Sequence, residues 1–116
     1  AGAMLIAEEG VARRLGLRVR ARLRHFAVVG DDPLLMLTGV IPATRKVLAR
    51  AGLSVADIDA FEVNEAFASV VLAWARETGA DLARVNRFGG AIALGHPVGA
   101  SGVRLTANLL RAIEAG

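Results

Sequence analysis

Apolar residues in this chain follow two periods, and the shorter one predicts three strands. Between residues 17 and 29, Val19, Ala21 and Leu23 alternate with arginines, which is the period of a strand with one buried face. Two short apolar runs, residues 3–7 and residues 58–63, also have the length of buried strands. We therefore expect the first half of the chain to contribute strands to a sheet.

The longer period, near 3.6 residues, predicts helices between and after these strands. Their ends carry local signals, since Gly52 and Gly79 suit the residue that follows a helix and Asn64 suits an N-cap. Alternating strands and helices indicate an α/β fold in which helices cover a sheet. We expect the last helix to be buried between layers, because it is apolar over much of its circumference. The predicted helices are residues 8–15, 42–51, 65–78 and a run from 103 to at least 113.

Composition narrows the classes of protein to which the chain can belong. A length of 116 residues suits one domain, and 54% hydrophobic with 22% charged residues argues against disorder. The chain has no cysteine, so it offers no disulfide, no thiolate metal ligand and no cysteine nucleophile. This fits a cytoplasmic location. No apolar run approaches the roughly 20 residues of a membrane span, so we expect no membrane partner.

The arginines of residues 17–29 have two interpretations. Arg18, Arg20, Arg22 and Arg24 can contact phosphates, which would indicate a nucleic-acid-binding module. They can also form a solvated face that discourages pairing at a sheet edge. No aromatic residue interleaves with them, so we favour the solvated face and expect no nucleic-acid partner.

The most distinctive segment is residues 89–102, here called the glycine-histidine stretch. It holds five glycines, with His96 between Gly95 and Pro97. Glycine permits positive φ and close approach of the backbone, and Pro97 biases His96 away from the α region. Backbone N–H groups ahead of a helix favour negative charge. These features predict a site where an oxyanion forms.

Two polar residues are candidates for chemistry, and each has a simpler explanation. Asn64 follows a predicted strand, at the end where ligands gather in open sheets, yet an N-cap role alone would explain it. His96 could merely hold its loop together, although the crowding of glycine and proline around it favours a function. From the residues alone, the chain is an α/β domain with a polar site built from His96, Asn64 and glycine backbone. We expect no metal ligand set.

At this point the motifs are similar to a known family. Asn64-Glu65-Ala66-Phe67, followed by the glycine-histidine stretch, resembles the C-terminal half of a thiolase. The resemblance covers residues 3–116, and residues 70–81 resemble actinobacterial thiolases that degrade lipids and steroids. It implies a thiolase-like α/β fold, with residues 1–116 as a layered βαβαβ-type C-terminal domain that is incomplete because its last strands are missing.

The thiolase resemblance also implies a reaction. In such enzymes a cysteine of the N-terminal domain attacks a 3-ketoacyl-CoA, acetyl-CoA leaves, and a second CoA collects the shortened acyl chain. His96 would activate the thiol and help bind the thioester oxygen, while Asn64 would hold a water in that oxyanion hole. Ala66, Phe67 and Gly95 would contact substrate. CoA and acyl-CoA are substrates and no separate cofactor is expected. The remaining thiolase domain and further copies of the chain, as a homo-oligomer, are the expected partners.

This chain departs from the family pattern at three points. Neither of the two family cysteines is present, so we expect the chain alone to be inactive. Phe88 also stands where many relatives carry asparagine. A non-catalytic, lipid-carrier-related module with the thiolase fold is the alternative, and the presence of both Asn64 and His96 argues against it.

Overall fold

A computed structural model describes residues 1–115, and helices dominate them. Three single turns of 3-10 helix, Leu37–Gly39, Val55–Asp57 and Leu82–Arg84, stand between the longer elements. Within residues 1–115 no helix is long and apolar enough to cross a membrane. The α-helices in chain order are α1 (Glu9–Arg14), α2 (Val40–Ala51), α3 (Ala68–Thr78), α4 (Ala91–Leu94) and α5 (Ser101–Ala115).

The C-terminal ends of α2 and α3 lie where the sequence predicts them, and α1 begins within one residue of its predicted start. The Glu8 carboxylate caps α1 by accepting hydrogen bonds from the backbone N–H groups of Gly10 and Val11. Gly52 and Gly79 end α2 and α3 in the left-handed conformation, with φ of 68° and 75°. These three features involve only residues close in sequence.

The three predicted strands do not form ladders. Within residues 1–115 the strand-type pairing consists of one parallel bridge, between Phe61 and Val85. A strand needs a neighbouring strand for its backbone N–H and C=O groups, and the end of the segment over residues 17–29 lies beside α2 instead. There Lys46 and Arg50 donate to the carbonyl oxygens of Val28 and Phe26, at 2.8 Å each. The predicted strands at 3–7 and 17–29 are thus irregular segments in this structure.

Helix α3 begins three residues later than the sequence predicts. Its N-cap is Phe67, in an extended conformation with φ of −148°, and the predicted N-cap residue Asn64 lies outside the helix. The helix therefore starts without a side-chain cap. Helix α2, in contrast, begins two residues earlier than predicted, at Val40. Pro42 therefore occupies the third position of the helix rather than the first.

The core forms where α2 and α3 pack against each other. Trp74 is its centre, at 1% exposure, and its indole Nε1–H donates to Thr44 Oγ1 at 2.9 Å. The Phe61 ring meets the Trp74 ring edge-on, with centroids 5.2 Å apart. The indole thus fixes α3 against both α2 and the segment that leads to Asn64. The buried cluster is completed by Ile41, Val63, Val71, Ala75 and Ala80.

The expected burial of α5 between two layers does not occur among the described residues. Ser101 and Ala112 are its buried residues, while Ile113 is 57% exposed. Exposed apolar side chains are also frequent ahead of α2. Examples are Leu5, Val28 and Leu34, at 77%, 85% and 87% exposure. Much of the apolar surface that the sequence predicts to be buried is therefore uncovered.

Candidate active site

The glycine-histidine stretch folds as a turn, the short helix α4, and a loop that leads into α5. Gly89 and Gly95 bracket α4 with φ of 88° and 90°, a conformation that an L-amino acid side chain disfavours. His96 follows directly and is exposed. The two glycines therefore let the chain turn sharply on either side of α4 and place the imidazole at the surface.

Ser101, the buried first residue of α5, orients the His96 ring. Its Oγ lies 2.6 Å from His96 Nδ1 and 3.1 Å from the carbonyl oxygen of Pro97. A carbonyl oxygen can only accept, so we assign the single hydroxyl proton to that contact. Ser101 Oγ then accepts from Nδ1–H, which leaves Nε2 of a neutral His96 with a free lone pair. The arrangement can take a proton from an acidic group placed at Nε2.

Asn64 lies in the chain between the core residue Val63 and Glu65, whose side chain contacts the glycine-histidine stretch. Because it does not cap α3, its side chain is free of the structural role that the sequence offers as an alternative. Its Oδ1 is buried and has no hydrogen-bond partner among the described residues. Buried polar atoms normally have a partner, so this oxygen is available to a bound group.

Sequence reasoning missed a hydrogen-bond network that connects the neighbours of Asn64 to the glycine-histidine stretch. Asn86 pairs with Val63 through both main-chain groups, at 2.8 and 2.9 Å. Glu65 accepts from Asn86 Nδ2 and from the backbone N–H of Ile92, both at 2.9 Å. An asparagine with φ of 48° is uncommon, and no sequence pattern signals these long-range partners. A cleft of about 360 Å³ borders Glu65, Asn86 and Gly90.

A second carboxylate near Asn64, that of Glu62, lies against α5. Its side chain is 3% exposed, and one of its oxygens lies 3.9 Å from Arg104 Nη1. Burial raises the pKa of Glu62, and the positive charge of Arg104 opposes that shift. The two side chains form a close charge pair without a hydrogen bond, so they bring opposite charges together but do not fix a geometry.

The predicted substrate residues lie in two segments of the chain, Ala66 and Phe67 directly before α3 and Gly95 directly after α4. Phe67 is 64% exposed, so its ring is accessible to a bound molecule. Ala66 is half-buried, and Gly95 is exposed beside His96. Within residues 1–115 no three histidine, aspartate or glutamate side chains converge as a metal site would require.

Phe88, which stands where many thiolases carry asparagine, contacts the last helix. The guanidinium of Arg111 lies over the Phe88 ring, 4.4 Å from its centroid, so Phe88 joins α5 to the start of the glycine-histidine stretch.

Two arginines of residues 17–29 form ion pairs within the chain. Arg20 forms a bidentate pair with Glu114, and Arg22 pairs with Glu9. Two of the four arginines are thus engaged within the chain, and among residues 1–115 the predicted strand that would carry them on one face does not form.

Ser101→Ala is expected to remove the preference of His96 for the tautomer that is protonated at Nδ1. A hydrogen bond worth about 1 kcal/mol corresponds to about a fivefold change in the ratio of the two neutral tautomers, toward protonated Nε2. The ratio can be measured from imidazole ¹⁵N shifts in ¹⁵N-histidine-labelled protein, with His96 assigned by its own replacement. Thr106→Ala is the matched control, because its hydroxyl donates within the same helix, to Gly102, at 2.8 Å. An unchanged ratio in Ser101→Ala would contradict the assignment.

The fold, together with the Asn64 motif followed along the chain by the glycine-histidine stretch, indicates a domain of the thiolase class. Residues 17–116 match the thiolase C-terminal domain family, and the chain belongs to that family. It is 53% identical over 114 residues to the steroid 3-ketoacyl-CoA thiolase FadA6 of Mycobacterium tuberculosis, covering 98% of this chain and 28% of that protein. It is 52% identical over 117 residues to a 3-ketoacyl-CoA thiolase of Shewanella baltica, covering 98% of this chain and 30% of that protein.

A solved structure agrees with these sequence comparisons. The crystal structure of human mitochondrial 3-ketoacyl-CoA thiolase superimposes with a TM-score of 0.89 at 43% identity, over 94% of this chain and 28% of that one. The expected thiolase-like fold is therefore confirmed, even though residues 1–115 contain a single β-bridge and no ladder. The chain spans less than a third of the length of the relatives it matches.

Proposed function

We propose that this chain supplies the histidine and asparagine of a thiolase active site, in an enzyme that transfers acyl groups between a cysteine and coenzyme A. The observation that carries the proposal is the orientation of His96 by Ser101, which leaves Nε2 free for a thiol proton. The substrates are a 3-ketoacyl-CoA and CoA in the degradative direction, or acetyl-CoA units in condensation. Membership of the thiolase C-terminal domain family supports the same reaction class.

His96 Nε2 first accepts a proton from the cysteine thiol. The resulting thiolate attacks the 3-keto carbon and forms a bond to it. The bond between that carbon and the CoA-bearing acetyl unit then breaks, its electron pair leaves with the acetyl unit as an enolate, and the enolate takes up a proton and departs as acetyl-CoA. The thiol of a second CoA, which gives up its proton to the freed base, then takes the acyl group from the cysteine. An ordinary thiol has a pKa near 8.5, so a positioned base raises the thiolate fraction. Once protonated, the same Nε2–H can donate to the developing oxyanion, because Nδ1–H remains occupied by Ser101.

Asn64 completes the oxyanion hole through a water molecule. Its Oδ1 is buried and has no hydrogen-bond partner within residues 1–115, so it is suited to accept a hydrogen bond from a buried water molecule. We further propose that Ala66, Phe67 and Gly95 contact the acyl-CoA near the pantetheine, which the exposure of Phe67 supports. CoA enters as a substrate, and the proposal invokes no separate cofactor.

The cysteines and further structural partners come from outside this sequence. The exposed apolar residues ahead of α2 support burial by the remaining thiolase domain, since monomeric proteins rarely leave large contiguous apolar patches uncovered. We propose a homo-oligomer of the complete enzyme on the same ground. A reduced catalytic thiol is best maintained in the cytoplasm, where we place the enzyme.

Two preparations test this proposal. The intact protein that contains this sequence should cleave a 3-ketoacyl-CoA in the presence of CoA, followed as loss of the 3-keto absorbance. The 116-residue chain alone should give no turnover above background, because it contains no cysteine. No thiolysis by the intact protein, or turnover by the isolated chain, would reject the proposed division of the active site.

A further inference from the structure

The Glu65 carboxylate holds two distant segments of the chain together. Oε1 accepts from Asn86 Nδ2 and Oε2 accepts from the backbone N–H of Ile92, each at 2.9 Å. A helix-dipole explanation for Glu65 fails, because α3 begins at Ala68 and Glu65 lies outside it. The carboxylate instead contacts the first turn of α4, which has no side-chain cap of its own.

Gly90 leaves room for this carboxylate. A Cβ at position 90 would lie 2.1 Å from Glu65 Cδ and 2.2 Å from Oε1. The backbone of Gly90, with φ of −103° and ψ of −161°, is ordinary extended chain and does not itself require glycine. Close approach of Glu65 is therefore the reason that a side chain does not fit here.

The network holds the residues on either side of Asn64 in the chain. Asn86 pairs with the backbone of Val63, which precedes Asn64, and with the side chain of Glu65, which follows it. The other oxygen of Glu65 binds Ile92, four residues before His96. A single carboxylate thus links the segment of Asn64 to the segment of His96.

We propose that Glu65 is a positioning residue, which sets Asn64 relative to His96 by holding the first turn of α4. The inference rests on the function proposed above. Glu65 does not touch the reacting atoms, and its effect passes through the placement of the two polar groups. Misplacement of a reacting group by about 1 Å can cost about a hundredfold in rate.

Glu65→Gln in the intact enzyme tests this role. Glutamine keeps the length and one acceptor oxygen, but its amide nitrogen cannot accept the second hydrogen bond. We expect kcat to fall about tenfold or more, with the KM for acyl-CoA within about twofold of wild type, and the Ile92 amide to exchange faster. Acyl-enzyme formation in a rapid-mixing experiment should slow by the same factor as kcat.

Glu77→Gln is the matched control, because Glu77 is exposed on α3 and contacts Arg45 away from this region. Unchanged kcat in Glu65→Gln would overturn the inference. A loss of activity that only parallels a loss of folded protein, measured by melting and active-site titration, would overturn it as well. Failure of the proposed function is separate, since the wild-type enzyme would then not cleave 3-ketoacyl-CoA.

Discussion

His96→Ala should lower the acyl-transfer rate of the intact enzyme by about a thousandfold or more. Two contributions disappear together, the base that accepts the thiol proton and a donor to the oxyanion. General base catalysis typically supplies about 10²–10⁴ in rate, and one oxyanion donor about 10²–10³. Because both depend on one imidazole, the loss should exceed that of either contribution alone. Steady-state thiolysis and the rate of acyl-enzyme formation measure it.

The matched control for this replacement is His25→Ala. His25 is the other histidine of the chain and lies exposed in the irregular segment over residues 17–29. Its replacement should leave kcat within about twofold of wild type, in line with the small effects of surface substitutions away from special features. A His96→Ala enzyme that retains a tenth of wild-type activity would show that another group activates the thiol.

Signals that act over a few residues predict this structure well. Gly52 and Gly79 end α2 and α3 in the left-handed conformation, as predicted, and this conformation depends on neighbouring residues of the chain. The segment over residues 17–29 has the alternation of a strand, but a ladder requires a partner strand, and the described residues provide none there. The alternation of apolar and charged residues indicates that the two faces of the segment differ. Whether the segment pairs depends on another strand beside it.

In the candidate site, too, residues with local sequence signals could be predicted and residues with distant partners could not. The position of His96 among glycine and proline makes it a candidate from sequence, because these residues shape the loop locally. Asn64 was ambiguous, since an asparagine before a helical pattern is a natural N-cap. The start of α3 at Ala68 removes that explanation and strengthens the functional one. Glu65 and Ser101 could not be assigned, because their partners are fixed by the packing of distant segments or by a buried hydroxyl.

Gly90→Ala should displace the Glu65 carboxylate and leave the backbone of residue 90 unstrained. The added Cβ meets the flexible end of a side chain, so the glutamate can move away, but it then loses its bonds to Asn86 and Ile92. Hydrogen bonds to a charged group contribute about 1.5–3 kcal/mol each, so we expect a local loss of about 2 kcal/mol or more. Exchange of the Ile92 amide should accelerate about thirtyfold.

A double-mutant cycle separates this mechanism from simple crowding. In a Glu65→Ala background the carboxylate is already absent, so Gly90→Ala should add less than about 0.5 kcal/mol. Gly99→Ala in the same stretch is the control, because an added Cβ there meets no atom within 4 Å. Additive effects at positions 90 and 65 would mean that Gly90 is needed for another reason. Strong non-additivity, with kcat reduced in both single variants, would identify the Glu65 carboxylate as the group that Gly90 accommodates.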